Sequence, residues 1–454
     1  MLSNLFNFDA ISLISTILIL FISIIVGAYS KTYLRSDKKR YIFLTSIFLI
    51  TISLIITFSS DNIFLMSVSW LISNLLLVKI MIHKASWKQA KNSGFLALKN
   101  FMIGFISLAS ALTILYFQTD SYKISEIIKN DNISQIALFS SCSLLLITAL
   151  TQSAIYPFHN WLLSSLNSPT PASALMHAGL VNGGGIILAR FAPLFFQMPD
   201  IMTFAFILGI TSAIIGTLWK LIQSNIKGML ACSTMSQMGF MIAQCSMGLF
   251  PAAIAHLFWH GMFKSYLFLS SPTSWQEKRF DLGLNNSERN SNEISLYPPN
   301  KFSFLLSLIC GISGALIFAN INQIKIAELQ TTLVLVAVSF IAASQIALTI
   351  IARSPIKKFF PALIISSTLS MVYAQSVVLI EKIMPSQIFN PQALNFWHVL
   401  AIITLFAIWL VRLFWISSDS TKKAILLKLY VTALNSSQPQ LETITANRNH
   451  YVAN

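Results

Sequence analysis

A chain of 454 residues of which 55% are hydrophobic and only 10% charged, with a mean hydropathy of +0.71, is excluded from the ordinary soluble class, where about a quarter of residues carry charge. It reads as an integral, all-α, polytopic membrane protein. The net charge of +15 would suit nucleic acid, but the basic residues sit mostly in short loops between apolar spans, where they set orientation in a membrane.

The first residues, MLSNLFNFDA, carry no basic segment, and basic residues follow the first apolar run. That pattern argues for an uncleaved first helix entering with its N-terminus outside. Runs long enough to cross about 30 Å of hydrocarbon number roughly thirteen. They fall near 11–29, 41–59, 62–82, 95–117, 134–156, 171–191, 201–220, 229–248, 250–270, 302–320, 331–352, 359–380 and 396–416. The loops between them alternate. Lys31, Arg35, Lys38, Lys39 and Arg40 follow the first span, His83, Lys84, Lys88 and Lys91 the third, Lys220 and Lys227 the seventh, and Arg353, Lys357 and Lys358 the eleventh. The intervening joints are acidic or mixed, as at Asp61, Asp120 to Asp131, and Asp200. The positive-inside rule then puts the N-terminus outside and the C-terminus in the cytoplasm. The mixed-charge loop at 271–301 is expected on the cytoplasmic side, either as a docking surface for a soluble partner or as a linker. The tail piece KKAILLKLYVTAL is expected to lie on the inner membrane surface.

The stretch from Thr151 to Arg190 joins polar chemistry to a broken helix. The run ending near Ala154 stops at Pro157, and a second run starts after Pro169 and Pro171, carries His177 and ends at Arg190. Irregular backbone at membrane depth is tolerated only where protein or trapped water satisfies the freed groups. The three glycines at 183–185 let helices approach closely.

Within 250–270, His256, His260 and Lys264 recur every four residues, so they lie along one helix face. Each ionisable group at the bilayer centre costs a few kcal/mol on insertion scales. A stacked row therefore reads as a proton or ion path, with internal packing bonds as the alternative. Histidine titrates near neutrality, which suits proton relay. His177 is a weaker candidate alone, and His159, just past the break, weaker still. A zinc site at His256 and His260 has suitable spacing but lacks a third ligand in sequence. Cys142, Cys232, Cys245 and Cys310 stand singly and read as small buried hydrophobes. No Walker loop, dinucleotide fingerprint or nucleophile elbow is present, so an enzyme acting alone is not supported.

The motifs SAIYPFHNWL, SPTPASALMHAG, NIKGMLACSTMSQMGFM and AHLFWHGMFKSYLFLSS resemble those of the proton-conducting membrane transporters. That family includes the antiporter-like subunits of respiratory complex I and the Mrp sodium/proton antiporters. The variants HAGLVNGGG and MGFMIAQCSMGLF resemble, within it, the membrane subunits of inorganic-carbon accumulation complexes. The resemblance implies two inverted five-helix repeats with discontinuous helices, here about 41–191 and 201–380, flanked by segments 1–40 and 396–454. It implies a line of titratable residues near the midplane, to which His177, His256, His260 and Lys264 would belong. It also implies a bacterial cytoplasmic membrane location and a cytoplasmic partner resembling a zinc β-carbonic anhydrase. That partner would be driven by protons or Na⁺ entering through this chain, with zinc in the partner and no cofactor here. A cation/proton antiporter or complex I-like pump subunit is the second reading, and a non-conducting membrane anchor for the partner the third. Two positions depart from the family pattern. Gln152 stands where a lysine is usual, and Leu71 follows Trp70 where a glutamate is usual. The lysine of the second broken helix also has no counterpart.

Overall fold

The computed structural model describes residues 5–272, 301–351, 355–385, 388–414 and 420–444. The expected loop at 271–301 lies, from 273 to 300, outside the described residues. The long helices are α1 (Ala10–Tyr33), α2 (Arg40–Ser59), α3 (Ile63–Met81), α4 (Lys88–Thr119) and α5 (Gln135–Gln152). The broken element follows as α6 (Thr170–Ala178) and α7 (Gly183–Arg190), then α8 (Pro199–Ile222), α9 (Ile226–Ser246) and α10 (Phe250–Ser270). The chain continues with α11 (Lys301–Ile321), α12 (Thr332–Ile351), α13 (Pro355–Ile383), α14 (Phe396–Phe414) and α15 (Ser420–Ser436). Short polar residues start some of them. The Asp9 side chain accepts from the Ser12 amide, and Asn62 accepts from the amides of Phe64 and Leu65, satisfying donors that a helix start leaves open.

Among the described residues, ten helical segments are long and apolar enough to cross a membrane, where roughly thirteen were expected from about 20 apolar residues per span. The expected spans at 229–248, 250–270 and 396–416 are not among the ten. The first two form α9 and α10, which are 21 residues each but carry too many amides, hydroxyls and ionisable groups to count as apolar. The third is counted only as a shorter apolar helix, Phe396–Val411.

Packing divides the chain into two compact units. The first takes residues 1–246, 256–274 and 427–454, and the second 247–255 and 275–426. In the first unit the broken segment Thr170–Arg190 is buried along its whole apolar window, whereas the other nine spans of the chain are buried over 22–56% of theirs. Its interruptions thus face protein alone, the setting that irregular backbone at membrane depth requires. Gly184 shows how close the packing is. A Cβ there would collide with the Ala149 carbonyl of α5 and the hydroxyl of Ser153, the residue that follows it.

One end of this unit is closed by charge. Arg190, at the end of α7, pairs through Nη1 with Asp9, and its Nη2 donates to the Phe58 carbonyl at 2.5 Å. The other end carries the basic loops and the tail. Ala433 of α15 packs against Leu163, Trp219, Ala231, Cys232 and Met235, and Gln223 Nε2 donates to the Ser437 carbonyl and hydroxyl at 3.2 and 2.9 Å. Farther on, Asn92 donates to the Glu442 carbonyl, Asn167 to the Thr443 carbonyl, and the Gln440 amide to Ser164 Oγ. The tail is therefore fastened to the helices of its own unit, while Leu427 and Tyr430 stay exposed.

In the second unit, α11 to α13 meet around Cys310, Ala347, Ile351 and Ala362. Trp409 of α14 donates to Gln345 of α12 at 3.1 Å. Among the described residues, the lysines, glutamate and histidine of these four helices stand near helix ends, at Lys301, Lys357, Lys358, Glu381, Lys382 and His398.

Candidate ion pathway

The site is built on the first break. α5 ends at Gln152, and the chain passes Pro157 before short turns at Asn160–Leu163 and Ser164–Asn167. Pro171 in the first turn of α6 sits where its missing N–H costs nothing. α6 then stops at Ala178, and a 3₁₀ turn at Leu180–Asn182 leads into α7. Side chains satisfy the carbonyls that these interruptions release. Gln152 Nε2 donates to the Leu180 carbonyl at 3.1 Å, Ser153 Oγ to Val181 at 2.8 Å, and Asn182 Nδ2 to Ala178 at 2.6 Å. Asn100 and Trp161 both donate to the Thr151 carbonyl.

α10 presses onto this break. A Cβ at Gly261 would lie 2.9 Å from the Ala178 carbonyl, so glycine lets the backbones meet and brings the row beside His177. Lys264 is only 1% exposed, and its Nζ donates to the Leu230 carbonyl at 3.1 Å. The same carbonyl accepts from Thr234 Oγ1 at 3.0 Å, and Thr234 Oγ1 lies 3.1 Å from His177 Nδ1. With the threonine proton on Leu230, His177 presents Nδ1–H to it; with the threonine proton on Nδ1, the ring accepts. Lys264 and His177 are thereby joined through two groups of α9. The His177 ring stacks on Phe268, with centroids 4.3 Å apart.

His260 is buried, its Nε2 has no hydrogen-bond partner, and its ring lies within bonding reach of the His177 main chain. His256 stands 6.2 Å away, ring to ring. Its two nitrogens face Gln244 Oε1 and Gln237 Oε1, each at 2.8 Å. An imidazolium donates to both oxygens as they stand, whereas the neutral ring needs one amide turned over.

Gln152 and His159 stand apart from this cluster. Gln152 forms a reciprocal amide pair with Asn74 of α3, at 3.1 and 3.2 Å. His159 lies between the rings of Tyr156 and Trp219 at 5.5 and 5.2 Å, its Nδ1 without a partner. Among the described residues no three of His, Cys, Asp and Glu come together as a metal site, and the four cysteines are buried and free.

Asn74, Thr234, Gln237 and Gln244 are site residues that sequence reasoning passed over. Each had a signal, being a polar residue in a membrane-length helix, and Gln237 and Gln244 are seven residues apart, on one helix face. Replacing Gln152 with leucine strands the Asn74 amide in the interior. The expected cost is about 1–3 kcal/mol, read as earlier thermal unfolding of the purified protein, and Asn74→Leu added to it should recover part of the loss.

The comparisons with known proteins converge. The chain is 31% identical over 314 residues to the "Probable inorganic carbon transporter subunit DabB" of Bacillus subtilis, covering 68% of this chain and 60% of that protein. It is 34% identical over 279 residues to the DabB of Bacillus anthracis, covering 60% and 53%. With the chloroplastic NAD(P)H-quinone oxidoreductase subunit 5 of Chara vulgaris it shares 30% over 327 residues, 68% of this chain and 49% of that one. The chain thus spans about half to three fifths of the length of these relatives. The structure of the Mrp complex from a Dietzia species superposes with a TM-score of 0.59 at 18% identity, over 94% of this chain and 52% of that one, which is a likeness of fold. The sequence pattern of the NADH:quinone oxidoreductase/Mrp antiporter transmembrane family matches residues 60–290, and these contain the break, Thr234 and the whole row. The protein is a multi-pass membrane protein and belongs to the NADH:quinone oxidoreductase/Mrp antiporter family.

Proposed function

We propose that the chain is the energy-coupling membrane subunit of an inorganic-carbon accumulation complex, carrying protons or Na⁺ inward past His256, His260, Lys264 and His177. The observation that supports this most is the buried linkage of Lys264 to His177 through Leu230 and Thr234. A cationic side chain has no reason of stability to sit in such a place, since burying a charge costs several kcal/mol. The similarity to DabB proteins supports the substrate class. In this reading the N-terminus lies outside and the C-terminus inside the cytoplasmic membrane of a bacterium. A DabA-like cytoplasmic subunit, related to zinc β-carbonic anhydrases, uses the flux to retain bicarbonate.

The neutral Gln152–Asn74 pair gives this reading its particular form. Where the family usually has a lysine, Gln152 and its partner Asn74 hold the break without carrying charge, so the titratable path begins at His177 and the row on α10. The test has two arms. A pull-down from cells expressing the tagged chain should retain a large zinc-containing protein; retention of quinone-reductase or Mrp subunits in its place would give the second reading, an antiporter or pump subunit. Proteoliposomes of the complex should pass protons or Na⁺ down an imposed gradient. A complex that holds its partner and passes neither would be a membrane anchor.

A further inference from the structure

The basic end of the first unit contains a cavity of about 620 Å³ that no residue of the row lines. Three cationic side chains reach its wall from different parts of the chain, namely Arg35 after α1, Lys84 after α3 and Lys227 in the first turn of α9. The Lys227 ammonium is fixed there by the carbonyls of Ser168 at 2.8 Å and Leu166 at 3.4 Å. Ser168 and Pro169 form another part of the wall. Pro169 is the N-cap of the nine-residue α6, so the positive end of that helix opens on the cavity. Ser168 is 2% exposed, and its hydroxyl has no partner.

Against these stands one carboxylate among the lining residues, and it is already engaged. Asp37 Oδ1 accepts from the Lys39 amide at 2.7 Å, and Oδ2 lies 2.9 Å from His83 Nε2. The Lys39 amide first, and His83 after it, hold the Asp37 carboxyl below its ordinary range. The wall thus offers more positive charge and hydrogen-bond donors than its own groups consume. Water alone does not call for three cations, and a cation would meet them as repulsion.

We infer that this cavity binds a small oxyanion, a free bicarbonate or phosphate or the phosphate of a lipid headgroup, between Arg35, Lys84 and Lys227. Arg35 and Lys84 come from exposed loops and can close on the ligand, while Lys227 is preset. The site stands whether or not the row conducts.

The test uses the full chain in nanodiscs of zwitterionic lipid, with thermal unfolding read as bicarbonate or phosphate replaces chloride at constant ionic strength. Saturable stabilisation is expected. In the double variant Arg35→Gln/Lys84→Gln, both at exposed positions, the apparent affinity should fall by about tenfold or more. A second arm adds phosphatidylglycerol. If the anionic lipid stabilises the native chain, removes its response to soluble oxyanion and does neither in the variant, the ligand is a headgroup. Lys264→Ala should keep the oxyanion response intact even where it stops flux, which separates this site from the conduction reading. Equal responses of native and variant chains in both arms would overturn the proposal.

Discussion

Lys264→Ala is expected to stop cation flux through proteoliposomes, by about two orders of magnitude or more, the scale on which loss of a positioned proton-transfer group is felt. The argument rests on where the ammonium sits. It is among the most completely buried large side chains of the described residues, and it donates a hydrogen bond to a carbonyl that Thr234 also uses. Removing the amine leaves Leu230 still paired with Thr234, so no buried polar group is stranded. Folding should therefore survive, and relief from a buried charge offsets part of the packing lost. Loss of transport with only a small fall in unfolding temperature and unchanged partner retention is the expected signature. His260→Ala should stop flux alike, with a somewhat lower unfolding temperature, since Nε2 has no partner to lose but the ring gives up its contact with the His177 main chain. Undiminished flux in both variants would remove the row from the mechanism.

Arg190→Ala should produce the largest loss of stability, about 3 kcal/mol. That is the low end of the range for removing one partner of a buried ion pair, chosen because Asp9 is 22% exposed and water screens part of the charge left behind. The guanidinium spans two elements at once, meeting Asp9 at the start of α1 and the Phe58 carbonyl at the end of α2. An ammonium offers one nitrogen and lacks the planar fork, so Arg190→Lys should restore only part of the loss. Thermal unfolding of the detergent-solubilised protein is the measurement. A transition at the native temperature in Arg190→Ala would mean that this clasp adds nothing to stability.

Much of the architecture could be read from residues whose backbone chemistry leaves little choice. Pro157, Pro169 and Pro171 mark the break because proline withholds a donor wherever it stands, and α5 ends and α6 begins where they require. The spacing of His256, His260 and Lys264 needed only the period of a helix. Other features depended on contacts between distant segments. The turn at Leu180–Asn182 has no proline to announce it, and it exists because Gln152, Ser153 and Asn182 supply donors to the released carbonyls. The amide opposite Gln152 was equally hidden. Reading for a glutamate directly after Trp70 found Leu71, whereas Asn74, one helical turn beyond that tryptophan, faces Gln152. The ten apolar spans fall short of the expected thirteen for a related reason, since α9 and α10, which carry the polar residues, are helices whose hydropathy is lowered by them. Amphipathicity placed the tail on the membrane surface, while the donors that hold it lie far away in sequence, on Asn92, Asn167 and Gln223.

The way the tail is held has its own consequence. Between 440 and 443 every inter-segment bond described ends on a main-chain atom, the Gln440 amide or the carbonyls of Glu442 and Thr443. Recognition of this kind is indifferent to side-chain identity but strict about register. The exposed letters of that stretch, at 440 to 442, can change while these bonds persist, whereas a proline at 440 or the deletion of a single residue would unhook it from the loops beneath the break.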